Sequence, residues 1–327
     1  MTKTTWGAAA AAVCLLCLPA ARAGNLEPAG INLGNTSFFD GFSSTTPGWA
    51  YLAYFQYGRY SHITDDSGKD SGGFTRPRIA TTVLVNQLAY TTGQTFFDGT
   101  AHLGFNALLP VAHLDASFNA NSPTRLGTRS GVGDLTLATT LQFDPVIREG
   151  RPVFSQRFEL GLIAPTGRYS TSADINPGAH FWSLVPNWAA TWLPTPRTEV
   201  SWRLNYLYNF VNDKPANLPP SVSRTQAGQA AWLNFTASYA VLPNLNVGLN
   251  GYYFQQLTRD RYRYADGSID NGQDFGDTGK VRLFAIGPGL SWKAGQGNVL
   301  NVNLYVQTQA RNRNRGNVLN VNWIHPL

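Results

Sequence analysis

Beyond its opening two dozen residues the sequence has no cysteine, because Cys14 and Cys17 both lie in that first stretch, and its only methionine is Met1. Disulfides, thiol catalysis and cysteine-based metal centres are thereby excluded for the rest of the chain. Charge is scarce too, at 13% of residues against about a quarter in ordinary soluble proteins. Setting aside Lys3 and Arg22 leaves 23 basic and 19 acidic residues, a dispersed net charge of +4. So mild a balance points away from nucleic acid as a partner. No apolar run of ~20 residues follows the opening stretch, which excludes helical membrane spans.

What is present is aromatic: Phe, Trp and Tyr make up 13% of the chain. The opening residues read as an export signal, with Lys3 as the basic region, Trp6 to Leu18 as a short apolar stretch, and Ala21-Arg22-Ala23 as the cleavage pattern. The expected organisation is therefore a signal peptide over 1–23, a periplasmic segment over 24–48 and a barrel over 49–327. Few charges, many aromatics and no spanning helix fit an all-β, transmembrane, antiparallel up-and-down β-barrel.

Period-two alternation supports that class. Leu300, Val302, Leu304, Val306 and Ala310 fall on one face of a segment, opposite Asn301, Asn303, Tyr305, Gln307 and Gln309. In the same way Val200, Trp202, Leu204, Tyr206, Tyr208 and Phe210 alternate with Ser201, Arg203, Asn205 and Asn209, while Leu207 breaks the polar row. Twelve such strands are predicted, over 49–62, 80–90, 98–112, 132–144, 153–165, 183–194, 199–211, 227–241, 245–257, 279–293, 299–310 and 317–324. Long polar connections (62–79, 113–131, 166–182, 212–226, 258–278) alternate with short ones until the final hairpin, Arg311 to Gly316. That pattern predicts long extracellular loops, short periplasmic turns and both termini in the periplasm. The implied partners are outer-membrane lipid, lipopolysaccharide, the barrel-assembly machinery and a small-molecule solute. Gly297 to Asn303 recurs identically as Gly316 to Asn322, either a duplicated hairpin or two strands answering the same demand for alternation.

Catalytic patterns are missing. The five histidines, His62, His102, His113, His180 and His325, are scattered, and neither a G-x-S-x-G elbow nor an H-E-x-x-H pair occurs. No enzyme, resident metal or cofactor is expected. A lipid hydrolase on the barrel wall would need a serine and a histidine brought together on the outer face. Asp260, Asp266, Asp270, Asp274 and Asp277 crowd one loop, but their spacing is not that of an EF-hand, and Arg259, Arg261 and Arg263 stand beside them. A solvated loop is the simpler reading of that cluster than a calcium site.

Function should reside in the lumen, whose predicted lining is Arg157, Glu159, Arg203, Asn205, Asn234, Asn250, Tyr252, Arg282, Asn301, Asn303 and Tyr305. Twelve strands enclose a narrow passage, and amides, aromatics and sparse charges suit a small neutral or weakly polar solute. The competing reading is that these side chains bond one another and fill the barrel.

Several separated patches resemble the outer-membrane family named for the meta-pathway of phenol degradation. They are Pro47-Gly48-Trp49-Ala50-Tyr51-Leu52 with Tyr54 and Tyr57, then Leu109-Pro110-Val111 and Gly131-Val132-Gly133-Asp134-Leu135. Ala164-Pro165-Thr166-Gly167-Arg168-Tyr169 follows, then Asn176-Pro177-Gly178 with Trp182 and Pro186. The resemblance implies a channel or transporter admitting small aromatic or hydrophobic compounds, and it brings no catalytic residues. Alternation puts Gly131, Gly133 and Asp134, together with Pro165, Thr166 and Gly167, at the extracellular mouth, where Asp134 is expected to accept hydrogen bonds from the next loop. The chain departs from the usual aromatic C-terminus, and Trp323 is the residue that could serve the assembly machinery instead. Two other functions remain open: a barrel whose loops bind a surface partner, and the wall-sited hydrolase.

Overall fold

Twelve strands close on themselves in a computed structural model that describes residues 31–123, 125–270 and 279–327. The expected signal peptide, residues 24–30 and the positions of Asp274 and Asp277 lie outside the described residues. The barrel strands are β1 (Gly48–Ile63), β2 (Arg78–Phe96), β3 (Ala101–Ser117), β4 (Leu135–Phe143), β5 (Arg151–Ala164) and β6 (Ser183–Thr195). They continue as β7 (Thr198–Asn209), β8 (Ala230–Leu242), β9 (Leu245–Gln256), β10 (Arg282–Gly295), β11 (Asn298–Arg311) and β12 (Asn314–Pro326). Each pairs antiparallel with the next, and β1 pairs with β12 from Ala50↔Pro326 to Ile63↔Asn314. Closure leaves no strand edge, which the interior of a bilayer requires.

Alternation decides which side chains meet lipid. On β7 the even positions Trp202, Leu204, Tyr206 and Tyr208 face out, while Glu199, Ser201, Arg203, Asn205, Leu207 and Asn209 are buried inside. Outward aromatics collect at the end bearing the short turns, where Trp49 meets Tyr90 at 4.5 Å between ring centroids. Trp192, Trp292 and Trp323 stand exposed at the same end. Such a girdle marks the headgroup level of a membrane barrel. The duplicated segment forms two neighbouring strands, so Asn301 pairs with Asn322 and Asn303 with Asn320, all facing inward.

Two side-chain directions differ from the sequence expectation. Arg282 does not line the lumen: it lies on the outward row of β10 opposite Gln255, whose Oε1 accepts from its Nε at 2.9 Å, while Leu283 beside it is fully buried inside. It sits at the strand's end, where a charged side chain can leave the lipid zone. On β11 a register shift between Phe284 and Ala285 skips Thr308. Because one extra residue reverses a strand's two faces, Ala310 is buried within and Gln309 points outward, the opposite of simple alternation.

The long connections also fold. Val211–Asn212, Val222–Gln226, Arg261–Tyr264 and Ile269–Asp270 make a separate four-stranded sheet beyond the barrel rim. Asp260 anchors it, accepting from the backbone N–H of Gly228 at 2.7 Å and from Gln256 Nε2 at 2.8 Å. That carboxylate is spent on holding two loops together. Among the described residues no group of three or more acidic, histidine or cysteine side chains is placed to hold a metal ion.

Candidate functional site

The lumen is occupied by the chain itself. Residues 31–43, expected to lie outside the barrel as part of a periplasmic segment, instead run inside it before β1 begins. The physical reason is polar: the inward rows of β1, β4 to β8, β11 and β12 present amides, hydroxyls and charges that need partners, and this segment supplies them. Trp232 Nε1 donates to the Asn32 carbonyl at 2.8 Å, Asn234 Nδ2 to the same oxygen at 3.0 Å, and Tyr305 Oη to the Gly34 carbonyl at 2.9 Å. In return the Gly34 N–H donates to Asn234 Oδ1 at 3.0 Å and the Gly41 N–H to Thr191 Oγ1 at 2.9 Å. The Phe39 N–H donates to Glu199, and Asn322 donates to the Asn35 carbonyl. Gly34 has φ +70°, and a Cβ there would come within 2.8 Å of the Tyr252 and Tyr305 rings, so no other residue suits that position.

Charge fixes the centre of the segment. Arg203 Nε and a terminal nitrogen bind the two Asp40 oxygens at 2.9 and 2.6 Å. Arg157 reaches Asp40 Oδ1 at 3.4 Å and the Phe42 carbonyl at 3.2 Å, and Glu159 lies 3.9 Å from Arg203. The Arg157 Nε has no hydrogen-bond partner among the described residues. From this cluster a belt of hydrogen bonds runs round the wall. Tyr54 Oη donates to Gln87 Oε1 at 2.9 Å and Gln87 Nε2 to Asn106 Oδ1 at 3.0 Å. Asn106 and Asn187 then donate to the two oxygens of Glu159 at 2.8 and 3.0 Å.

Beside the segment a cavity of about 590 Å³ opens between it and strands β1 to β8, β11 and β12. Leu108, Ile163, Val185 and Trp232 make its wall toward the long-loop end, the polar belt crosses its middle, and Leu52, Ala89 and Ile324 line it toward the short-turn end. Above it lies an apolar cluster. Leu207, Phe254, Leu283 and Tyr252 pack with Phe74 of the loop after β1, and Phe74 meets Phe118 of the next long loop at 5.7 Å. The lumen foreseen from sequence as polar is thus partly apolar, because inward apolar residues and the loop bearing Phe74 fill part of it.

The structure brings Arg157, Glu159, Arg203, Asn205, Asn234, Tyr252, Asn301, Asn303 and Tyr305 to the segment or the cavity wall. Asn250 is buried between Thr236 Oγ1, which donates to its Oδ1 at 2.6 Å, and Asn303 Oδ1, which accepts from it at 2.8 Å. Asp40, Tyr54, Gln87, Asn106 and Asn187 were missed. For the last four, membership of an inward row with a neighbouring amide or carboxylate was the available signal; Asp40 had none, since its segment does not alternate.

A second cluster forms at the long-loop rim. The Asp134 carboxylate accepts from the Gly167 N–H at 2.8 Å and the Ala179 N–H at 2.7 Å, and the Leu135 N–H donates to Thr166 Oγ1 at 3.0 Å. A Cβ on Gly167 would come within 2.7 Å of the Gly133 and Gly178 backbones, which explains the glycines gathered round this carboxylate. Gly131 packs on Arg168 and Pro177 in the same place, next to the turn through Pro165. Burial pushes the Asp134 carboxyl above its ordinary range, and the N–H donors of Ala179 and Gly167 offset this in part.

A family model described as "Putative MetA-pathway of phenol degradation" matches residues 64–323. The chain belongs to this family. Among solved structures, an outer membrane channel from Pseudomonas putida F1 superposes with a TM-score of 0.71 at 16% identity, covering 89% of this chain and 98% of that one. The beta domain of the Bordetella autotransporter BrkA gives 0.49 at 10% identity, covering 85% and 99%. A deletion mutant of the monoaromatic hydrocarbon channel TodX gives 0.46 at 10% identity, covering 88% and 91%. No curated protein matches the sequence. The likeness to the P. putida structure shows the barrel fold of this member of the phenol-degradation family.

Proposed function

We propose that the protein is an outer-membrane channel that admits small organic solutes, aromatic or otherwise hydrophobic, past an internal segment of its own chain. The observation that carries this reading is the cavity of about 590 Å³ beside residues 31–43, apolar above and below a single polar belt. A water-filled pore needs a continuous polar lining; this lumen interrupts it with Leu108, Ile163 and Val185. Apolar walls with a few fixed polar groups are the composition of a small-molecule site. The family's description and the name given to its P. putida structural relative support the same function. In this reading the long loops face the outside of the cell, and both ends of the barrel sequence face the periplasm. Lipopolysaccharide and lipid contact the outer wall, and the assembly machinery recognises the last strand through Trp323.

The test is solute entry into liposomes carrying the refolded protein, with phenol, a fatty acid and a sugar compared. Phenol entry above that of empty liposomes, with the sugar excluded, is the expected result. A folded barrel that passes none of them would instead leave the extracellular loops as the functional surface.

One observation touches the hydrolase reading. His113 Nδ1 on β3 and Ser130 Oγ on Arg129–Val132, a short strand paired with β3, lie 2.6 Å apart, both exposed on the outside of the barrel. A nucleophilic serine also needs its histidine oriented by a further group and donors for the developing oxyanion. Among the described residues no partner holds the other ring nitrogen of His113. We therefore propose no hydrolysis at this pair.

A further inference from the structure

The structure assigns to Arg157 and Arg203 the role of a carboxylate receptor that Asp40 occupies from within. We propose that an amphipathic carboxylate, one apolar ring or chain bearing a single acid group, enters the cavity and takes the place of Asp40, loosening residues 31–43 from the wall. The inference rests on the channel reading only in treating the cavity as accessible to solute.

Three observations meet at this point. First, Asp40 is the acid of the internal segment, and a guanidinium fork binds its two oxygens at 2.9 and 2.6 Å, the planar arrangement by which arginine recognises any carboxylate. Second, the neighbouring Arg157 is underused. Its bond to Asp40 is long, at 3.4 Å, against 3.2 Å to the Phe42 carbonyl, and its Nε lacks a partner among the described residues. Third, both arginines and Asp40 line the same cavity, whose volume lies within the ~300–1,000 Å³ usual for small-molecule sites. An acid group held by the arginines would lay its apolar body against Leu108, Ile163 and Val185.

Charge balance selects the ligand class. With Asp40 in place, Arg157 and Arg203 face Asp40 and Glu159, so the cluster is neutral. Withdrawal of Asp40 leaves one guanidinium uncompensated in a buried setting, which is costly. A phenol or an alcohol cannot supply the missing charge, whereas a carboxylate restores both the charge and the fork. Replacement of one acid by another is the exchange that releases the segment at least cost.

The experiment follows the segment directly. Ser37 is buried and accepts from Asn303 Nδ2 at 2.9 Å, so a Ser37→Cys variant with no other cysteine should react slowly with a maleimide while the segment is docked. Benzoate should accelerate labelling about tenfold, the ratio that ~1.4 kcal/mol of lost docking free energy produces, and phenol at the same concentration should not. Adding Asp40→Asn should give fast labelling without ligand and no further response to benzoate, and adding Arg157→Gln should weaken the benzoate response. If phenol accelerates labelling as much as benzoate, or neither does, the proposal is overturned. Asp40→Asn labelling as slowly as its parent would overturn it as well. Solute entry measured on the same preparations separates the two readings: flux without a benzoate response removes this proposal alone, and a benzoate response without flux removes the channel alone.

Discussion

Arg203 on β7 holds Asp40 of the internal segment through two parallel hydrogen bonds of 2.9 and 2.6 Å, joining residues 163 positions apart in sequence. Both side chains are buried, at 7% and 6% exposure. Removing one partner of a buried pair strands the other charge and costs about 3–5 kcal/mol. Asp40→Ala should therefore detach residues 31–43 while leaving the strand ladder intact. Single-channel recordings should show larger and noisier conductance, and circular dichroism should show unchanged β content. Conductance equal to the parent's would mean that the segment is held elsewhere or does not restrict the lumen.

Gly34 offers a test of the same docking without a change in charge. Its φ of +70° and the 2.8 Å approach of Tyr252 and Tyr305 leave no space for a methyl group. The left-handed conformation costs a non-glycine residue about 1 kcal/mol, and the two rings, both buried, add a steric penalty. Gly34→Ala should raise conductance in the same direction as Asp40→Ala. If it leaves conductance unchanged, the backbone at this point can shift without consequence.

At the rim, Asp134 makes a prediction about pH. Burial raises its carboxyl above the ordinary value of 3.8, so between that value and the raised one the folded state binds more protons than the unfolded state. Stability must fall as pH rises through this window. In Asp134→Asn that dependence should disappear. The neutral amide also loses one of the oxygens that accept from Gly167 and Ala179, so the variant's loop should exchange its amide protons faster. Hydrogen exchange of residues 166–180 across the acid range, in both proteins, reads both effects; identical pH slopes would remove Asp134 as the titrating group.

The barrel was legible in the sequence because lipid on one side and polar groups on the other impose alternation on every strand. Val200 to Phe210 shows the limit of that signal as well as its strength: each outward residue was foreseen, and so was the break at Leu207, but not that Leu207 belongs to an apolar plug of side chains under folded loops. Arg282 and Ala310 were misplaced because a strand end and a bulge break the period that carries the information. The internal segment was illegible for a different reason. Its residues Asn32 to Phe42 satisfy polar side chains spread over eight strands, mostly through backbone groups, and that relation leaves no periodic trace. The cavity exists only through that segment, so its belt from Tyr54 to Asn187 could be seen only after folding.

The pair His113 and Ser130 gives the last prediction. Their 2.6 Å separation satisfies one condition for an activated serine. Both side chains are exposed, so water competes for the hydroxyl and screens the imidazole. Arg168 beside the pair is spent on the Ser130 carbonyl, to which it donates at 2.8 Å. With no partner among the described residues to orient the imidazole, a large part of the barrier reduction achieved by such enzymes is missing. The protein in mixed micelles should release no fatty acid from phospholipid, and Ser130→Ala should transport phenol at the parent's rate. Release of fatty acid by the parent that disappears in Ser130→Ala would establish a hydrolase on the barrel wall and make the lumen secondary to it.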